Sequence, residues 1–163
     1  DWSSDVCSSD LKKLHNWSIS VWHGDHQWHT KSSIYALELK SYCENKNIPF
    51  YLDQANKENI SSEEKAREWR YKKLCERAKI LLKKKQQKHN IYLLTGHTSS
   101  DNAETFILNL SRGSNFAGLS NIERKRLLEN KIFLIRPILI FRREDTKQFC
   151  NDMKIPVWED PTN

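Results

Sequence analysis

The feature that most limits the fold of this chain is an alternation. Short apolar runs of strand length recur, and each is followed by a stretch with helical spacing. In "NWSISVWHGDH" the residues Trp17, Ile19 and Val21 alternate with Ser18 and Ser20, as in a strand that ends in a polar cluster. "SSIYALELKSYCENKN" reads as a helix and "IPFYL" as a short strand after it. "SSEEKAREWRYKKLCERAKILLKKK" is a long helix, with Ser61 and Glu64 as its capping box. Ala66, Trp69, Leu74, Ala78 and Leu81 or Leu82 mark its buried stripe. "IYLLTG" is the next strand and "DNAETFILNLSRG" the next helix. "IFLIRPILI" holds a strand that ends near Arg136, because Pro137 cannot donate to a central ladder. "REDTKQFCNDMK" is a helix and "IPVW" a last strand. This order predicts an α/β fold: a doubly wound, mostly parallel sheet with helices on both faces. Ligands of such sheets sit beyond the carboxyl ends of the strands. Two polar clusters fall there, His23-Gly24-Asp25-His26 and Gly96-His97 through Glu104.

The second cluster lies in "TGHTSSDNAETFILNLSRGS". On a helix starting near Asp101, the residues Asp101, Glu104 and Thr105 share one face. Ala103, Phe106, Ile107 and Leu110 fall on the other and are expected to face the sheet, and Gly113 suits the position after the helix end. Two readings stay open. Asp101 with Glu104 is itself a capping box whose charges suit the helix dipole. The same two carboxylates also point towards the crevice where a ligand would bind.

Composition narrows the classes. The chain has 163 residues, of which 37% are hydrophobic and 29% charged, which suits one globular domain and not a disordered one. No apolar run approaches the roughly 20 residues a membrane helix needs. The first ten residues lack the basic start and apolar core of a signal peptide. Cys7, Cys43, Cys75 and Cys150 form no CxxC pair, so zinc and iron–sulfur sites are not expected and a reducing compartment is. A net charge of +6 suits a polyanionic partner. Lys83, Lys84, Lys85 and Lys88, and likewise Arg124, Lys125 and Arg126, read either as phosphate contacts or as solvated surface. Trp22, Trp28 and Trp69 read as packing residues.

"TGHTSSDNAETFILNLSRGSNFAGLSNI" closely resembles the G-H-x-x-x-D-x-x-E-T…R-G-S-x-x-x-G-L block of the tRNA(Ile)-lysidine synthase family, within the PP-loop or N-type ATP pyrophosphatase superfamily. "HGDHQW", "SEEKAREWRYKKL" and "RPILIFRREDTKQFCNDMKIPVWEDPTN" resemble further blocks of that family in the same order, from about Leu11 to Asn163. "REWRY" and "VWED" look most like cyanobacterial and algal plastid versions. The resemblance implies an adenine-nucleotide α-hydrolase-like, Rossmann-like fold and a carbon–nitrogen ligase. Such an enzyme uses ATP and Mg²⁺ to adenylate the wobble cytidine of the tRNA(Ile) with a CAU anticodon. The ε-amine of L-lysine then displaces AMP at the ring C2. The implied partners are that tRNA, L-lysine and ATP, with no membrane, in a bacterial cytoplasm or a plastid stroma.

Position by position, the resemblance implies that His97, Asp101 and Arg112 are catalytic and that Asp101 and Glu104 hold the lysine. It implies that Asp25, His26, Arg67, Arg70, Gly96, His97 and Arg136 bind ATP or the adenylate. Gly113 would shape the crevice beside Arg112. No metal ligand is assigned, because the family's Mg²⁺ ligand lies in an S-G-G-x-D-S loop that this sequence does not contain. Residues 1–10, "DWSSDVCSSD", look like translated adapter sequence and read as a non-native leader. Residues 11–163 read as part of an N-terminal PP-loop catalytic domain lacking its first strand and phosphate loop. The strands that would flank the lost one are expected to have unpaired edges. The chain as written is therefore expected to be poorly soluble and inactive. The competing readings are a PP-loop tRNA thiolase, which would call for a CxxC pair, and a non-catalytic RNA-binding remnant.

Overall fold

A computed structural model of the chain describes residues 15–28, 30–56, 60–84, 86, 89–113 and 122–158. The expected leader (residues 1–10), Lys85, Lys88 and the final residues 159–163 lie outside the described residues. In chain order the elements are β1 (Val21–Asp25), α1 (Ser32–Asn45), β2 (Phe50–Gln54), α2 (Glu63–Lys84), β3 (Ile91–Leu94), α3 (Ser99–Ser111), β4 (Lys125–Glu129), β5 (Ile132–Ile135) and α4 (Arg143–Asp152). The chain divides into two compact units, residues 1–74 with 155–163, and residues 75–154.

The α/β alternation and its parallel pairing are as expected. The strands form two sheets, one in each unit. In the first unit β1 pairs with β2 in parallel, with Val21 opposite Phe50 and Asp25 opposite Gln54. Ala55, Ile60 and Ala66 form its buried cluster, with Trp69 packed against it. Gly24 is held to glycine by space. A Cβ there would lie 2.6 Å from Trp22 Cη2 and 2.9 Å from Trp69 Cζ3. Trp22 is fixed in that position by donating from Nε1 to Asp53 Oδ2 at 2.7 Å.

In the second unit the order is β3-β5-β4. β3 and β5 are parallel, while β4 runs antiparallel to β5. β4 is a strand that the sequence did not announce, since Lys125 and Arg126, read as phosphate contacts or solvated surface, carry no strand signal. It forms because it closes a hairpin on the apolar β5, with Asn130 and Lys131 at the turn; Lys131 has φ 63°. Ile132 and Leu134 are fully buried on one face of β5. Ile132 forms a buried cluster with Ala78 and Leu82, against which Ile91, Leu93 and Leu128 pack.

Four expectations are corrected. α2 is capped by Ser62, whose Oγ accepts the Lys65 N–H at 3.3 Å; Ser61 instead accepts from Lys65 Nζ. The segment "IPVW" is no strand, for Trp158 turns to α1, donating to Glu38 Oε2 at 2.6 Å and meeting Tyr42 edge-on. α3 begins at Ser99, two residues before Asp101. Finally, Ala103, Phe106, Ile107 and Leu110 do not pack on the sheet; all four are exposed.

Candidate functional site

In the first unit the polar cluster sits where β1 ends. The Asp25 side chain is 1% exposed. Its Oδ1 accepts the Gln27 N–H at 2.8 Å, and its Oδ2 accepts Ser33 Oγ at 3.2 Å and Gln54 Nε2 at 3.3 Å. Burial pushes this carboxyl up, but the hydrogen bonds from Gln27, Ser32, Gln54 and Ser33 together hold it below the ordinary value. Asp25 thus fixes the loop after β1 and the start of α1.

His26 lies between two indoles, edge-on to Trp69 and tilted against Trp28, each ring 5.3 Å away. Burial, then the nearby Arg70 cation, push its pKa down, so the ring is neutral at pH 7. Its Nε2 is buried with no hydrogen-bond partner. Arg67 and Arg70 are exposed on α2, one turn apart, and the Arg67 guanidinium lies 5.6 Å from the Tyr71 ring.

In the second unit the polar cluster sits where β3 ends. Gly96 is exposed, and a Cβ there would meet only Ile138 Cδ1 at 3.9 Å, so packing does not demand glycine. His97 Nδ1 is hydrogen-bonded with Thr95 Oγ1 at 3.0 Å. Thr98 is the N-cap of α3, and Asp101 is its third helical residue. Asp101 Oδ2 accepts both the Thr98 N–H at 2.7 Å and the Thr98 hydroxyl at 2.6 Å. The capping pair is therefore Thr98 with Asp101, not Asp101 with Glu104. Glu104 is left out of the cap and is free to serve a different charge.

That charge is Arg143. A single nitrogen, Nη2, lies 3.1 Å from Asp101 Oδ1 and 3.0 Å from Glu104 Oε1. The two acids thus converge on one cationic nitrogen. The pairs are largely solvent-exposed, so water screens them and they add little to stability. Arg143 was not among the residues singled out from the sequence. One signal could have found it: a cation in a helix's first turn opposes the dipole, and implies acids from elsewhere that hold it. Burial pushes the Asp101 carboxyl up, but Thr98 and then Arg143 hold it below the ordinary value.

Arg136 follows β5 and is 3% exposed. Its Nη1 donates to the Glu123 carbonyl at 2.5 Å, while its Nε is buried without a partner. Buried polar groups are nearly always hydrogen-bonded, so each exception calls for an explanation. Among the described residues the exceptions are Arg136 Nε and His26 Nε2, and both belong to the set drawn from the sequence. Arg112 caps the end of α3, and Gly113 after it has φ 68°. Among the described residues no group of three or more His, Cys, Asp or Glu side chains could hold a metal ion. None of their helices is long and apolar enough to cross a membrane.

The family model for the PP-loop domain matches residues 5–163. The tRNA(Ile)-lysidine synthase of Prochlorococcus marinus subsp. pastoris is 71% identical over 155 residues, which is 95% of this chain and 46% of that protein. The enzyme of the same name from a Nostoc species is 41% identical, over 94% of this chain and 43% of that protein. The chloroplastic tRNA(Ile)-lysidine synthase of Pyropia yezoensis is 35% identical, over 94% of this chain and 44% of that protein. The chain thus spans about half the length of the curated relatives it matches.

Proposed function

Since the chain belongs to the PP-loop domain family, we propose that it serves a tRNA(Ile)-lysidine synthase, which joins L-lysine to C2 of the wobble cytidine in the CAU anticodon of tRNA(Ile). The reaction has two steps. The cytidine C2 oxygen attacks the α-phosphate of ATP, and pyrophosphate leaves. The lysine ε-amine then attacks C2, AMP leaves with that oxygen, and the amine proton is lost to a base.

The structural observation that carries this reading is the convergence of Asp101 and Glu104 on one cationic nitrogen, 3.1 and 3.0 Å away. That nitrogen stands in for the α-ammonium of lysine. Two ionised acceptors suit an ammonium through charge-assisted hydrogen bonds. The name shared by the relatives supports the choice of lysine and of this tRNA.

Other residues take roles consistent with their chemistry. Arg136 is a buried cation with an unmatched N–H, which suits a phosphate oxygen. Neutral His26, held between indoles with an unmatched nitrogen, suits the adenosine. Arg67 and Arg70 are solvated cations for phosphate. His97, just beyond the end of β3, would line the crevice near the nucleotide and take a proton, and Arg112, at the close of α3, would lie near the lysine and the tRNA base. Mg²⁺, when bound with ATP, would neutralise charge developing at the α-phosphate. The described residues offer no cluster of ligands for it.

The test is release of AMP from ATP by the whole protein. The expected result is release that requires both L-lysine and the CAU-anticodon tRNA(Ile). Release indifferent to lysine, or stimulated by a sulfur donor in its place, would overturn the reading.

A further inference from the structure

We propose that Arg143 is the receptor for the α-carboxylate of the amino acid, and that the lysine zwitterion enters by exchanging partners with the Arg143–Asp101–Glu104 cluster. This rests on the reading of Asp101 and Glu104 as ammonium acceptors.

The exchange follows from which atoms are already engaged. Asp101 Oδ2 is held by the N–H and hydroxyl of Thr98. Oδ1 is therefore the oxygen an incoming ammonium must reach, and Arg143 Nη2 occupies it at 3.1 Å. The same nitrogen occupies Glu104 Oε1 at 3.0 Å. An ammonium that binds both acids displaces that nitrogen. The base of the Arg143 side chain stays where it is. Its backbone N–H donates to Ser100 Oγ at 3.2 Å, and the Ser99 N–H and hydroxyl both donate to the Phe141 carbonyl, at 2.8 and 2.9 Å. The first turns of α3 and α4 are stitched together by these bonds. Only the solvated end of the arginine has to move.

A displaced guanidinium tethered beside an ammonium site has one natural partner in an α-amino acid. The α-carboxylate is bonded to the same carbon as the α-ammonium, and its two oxygens match the guanidinium fork. The ammonium replaces Arg143 on the acids, and the carboxylate replaces the acids on Arg143. No charge is left unpaired. The ligand class this selects is a zwitterionic amino acid, not a diamine.

The probe is cadaverine, which is lysine without its carboxylate. Calorimetric titration of the whole protein with L-lysine and with cadaverine is compared for wild type, Arg143→Gln and Arg143→Lys. The wild type is expected to bind lysine at least ~10-fold more tightly than cadaverine, as a lost charge-assisted pair requires. In Arg143→Gln lysine weakens while cadaverine holds or tightens, so the ratio falls to within about 3-fold. Arg143→Lys keeps part of the preference, because it keeps the charge and loses the fork. Equal weakening of both ligands would mean that Arg143 only props the helices, and would overturn the proposal. So would a wild type that binds the two equally, with the ammonium reading left standing. A wild type that binds neither would sink the ammonium reading and this inference with it.

Discussion

Asp101 holds Thr98 twice through one oxygen, Oδ2 accepting its backbone N–H at 2.7 Å and its hydroxyl at 2.6 Å. The other oxygen, Oδ1, faces Arg143 at 3.1 Å. One carboxylate therefore starts a helix and presents charge to a neighbour. Helix cap and ligand site, the two readings open in the sequence, therefore do not exclude each other: the cap uses one oxygen of Asp101 and leaves the other to a charge.

The first prediction concerns that double use. Asp101→Ala removes a cap worth about 1 kcal/mol, together with a solvent-screened ion pair that adds little. It should lower unfolding stability by about 1–2 kcal/mol. Glu104→Gln, outside the cap, should leave stability nearly unchanged and raise the KM for lysine by about 10- to 100-fold, the loss of one hydrogen bond to a charge. Urea unfolding and a KM series on the two variants check this.

The second concerns pH. Asp25 and Asp101 both have folded values below the ordinary carboxylate value of about 3.9. A depressed acid stabilises the fold above its unfolded pKa, and that contribution is lost as pH falls through the folded value. Unfolding midpoints should be flat near neutrality and fall with acid below about pH 5. Asp25→Asn should flatten the acid limb. An acid limb as steep as that of the wild type would contradict the assignment.

The third concerns Gly24. A methyl group there must displace the Trp22 and Trp69 rings, which lie 2.6 and 2.9 Å away. Gly24→Ala should destabilise by about 1–3 kcal/mol, the usual range for overpacking. Gly96→Ala meets only Ile138 at 3.9 Å and should be close to neutral in a thermal melt.

The fourth concerns Arg136. A buried cation whose side chain bonds a carbonyl contributes little net stability, so Arg136→Met should melt within a few degrees of the wild type. If the cation meets phosphate, the KM for ATP should rise about 10-fold or more. A large loss of stability with an unchanged KM would assign Arg136 a purely structural place.

Much of this was legible in the sequence, and the misses have physical causes. Pro137 marked the end of β5, and the spacing of Ala66, Ala78 and Leu82 marked the buried side of α2, because backbone chemistry and periodicity act locally. The start of α3 was misplaced because Thr98 and Ser99 carry no apolar period, and Asp101 suits both the first and the third helical position. β4 was missed because its pairing is set by β5, not by its own charged residues. "IPVW" has strand composition, but the indole of Trp158 found a carboxylate at Glu38. The exposed apolar side of α3 could not be read from its spacing, since periodicity names a face and not what covers it. Arg143 was missed because its partners lie about forty positions away in the chain, and its own place in a helix's first turn was the one local hint of them.

The most direct test of the central claim is transfer of labelled lysine. The whole protein is incubated with ATP, L-lysine labelled on its carbon skeleton and a CAU-anticodon tRNA(Ile) transcript, and the tRNA is digested to nucleosides. The account predicts label on the nucleoside at the wobble position, lost when that cytidine is replaced by uridine and strongly reduced in Glu104→Gln. An unlabelled tRNA, with ATP consumed all the same, would contradict it.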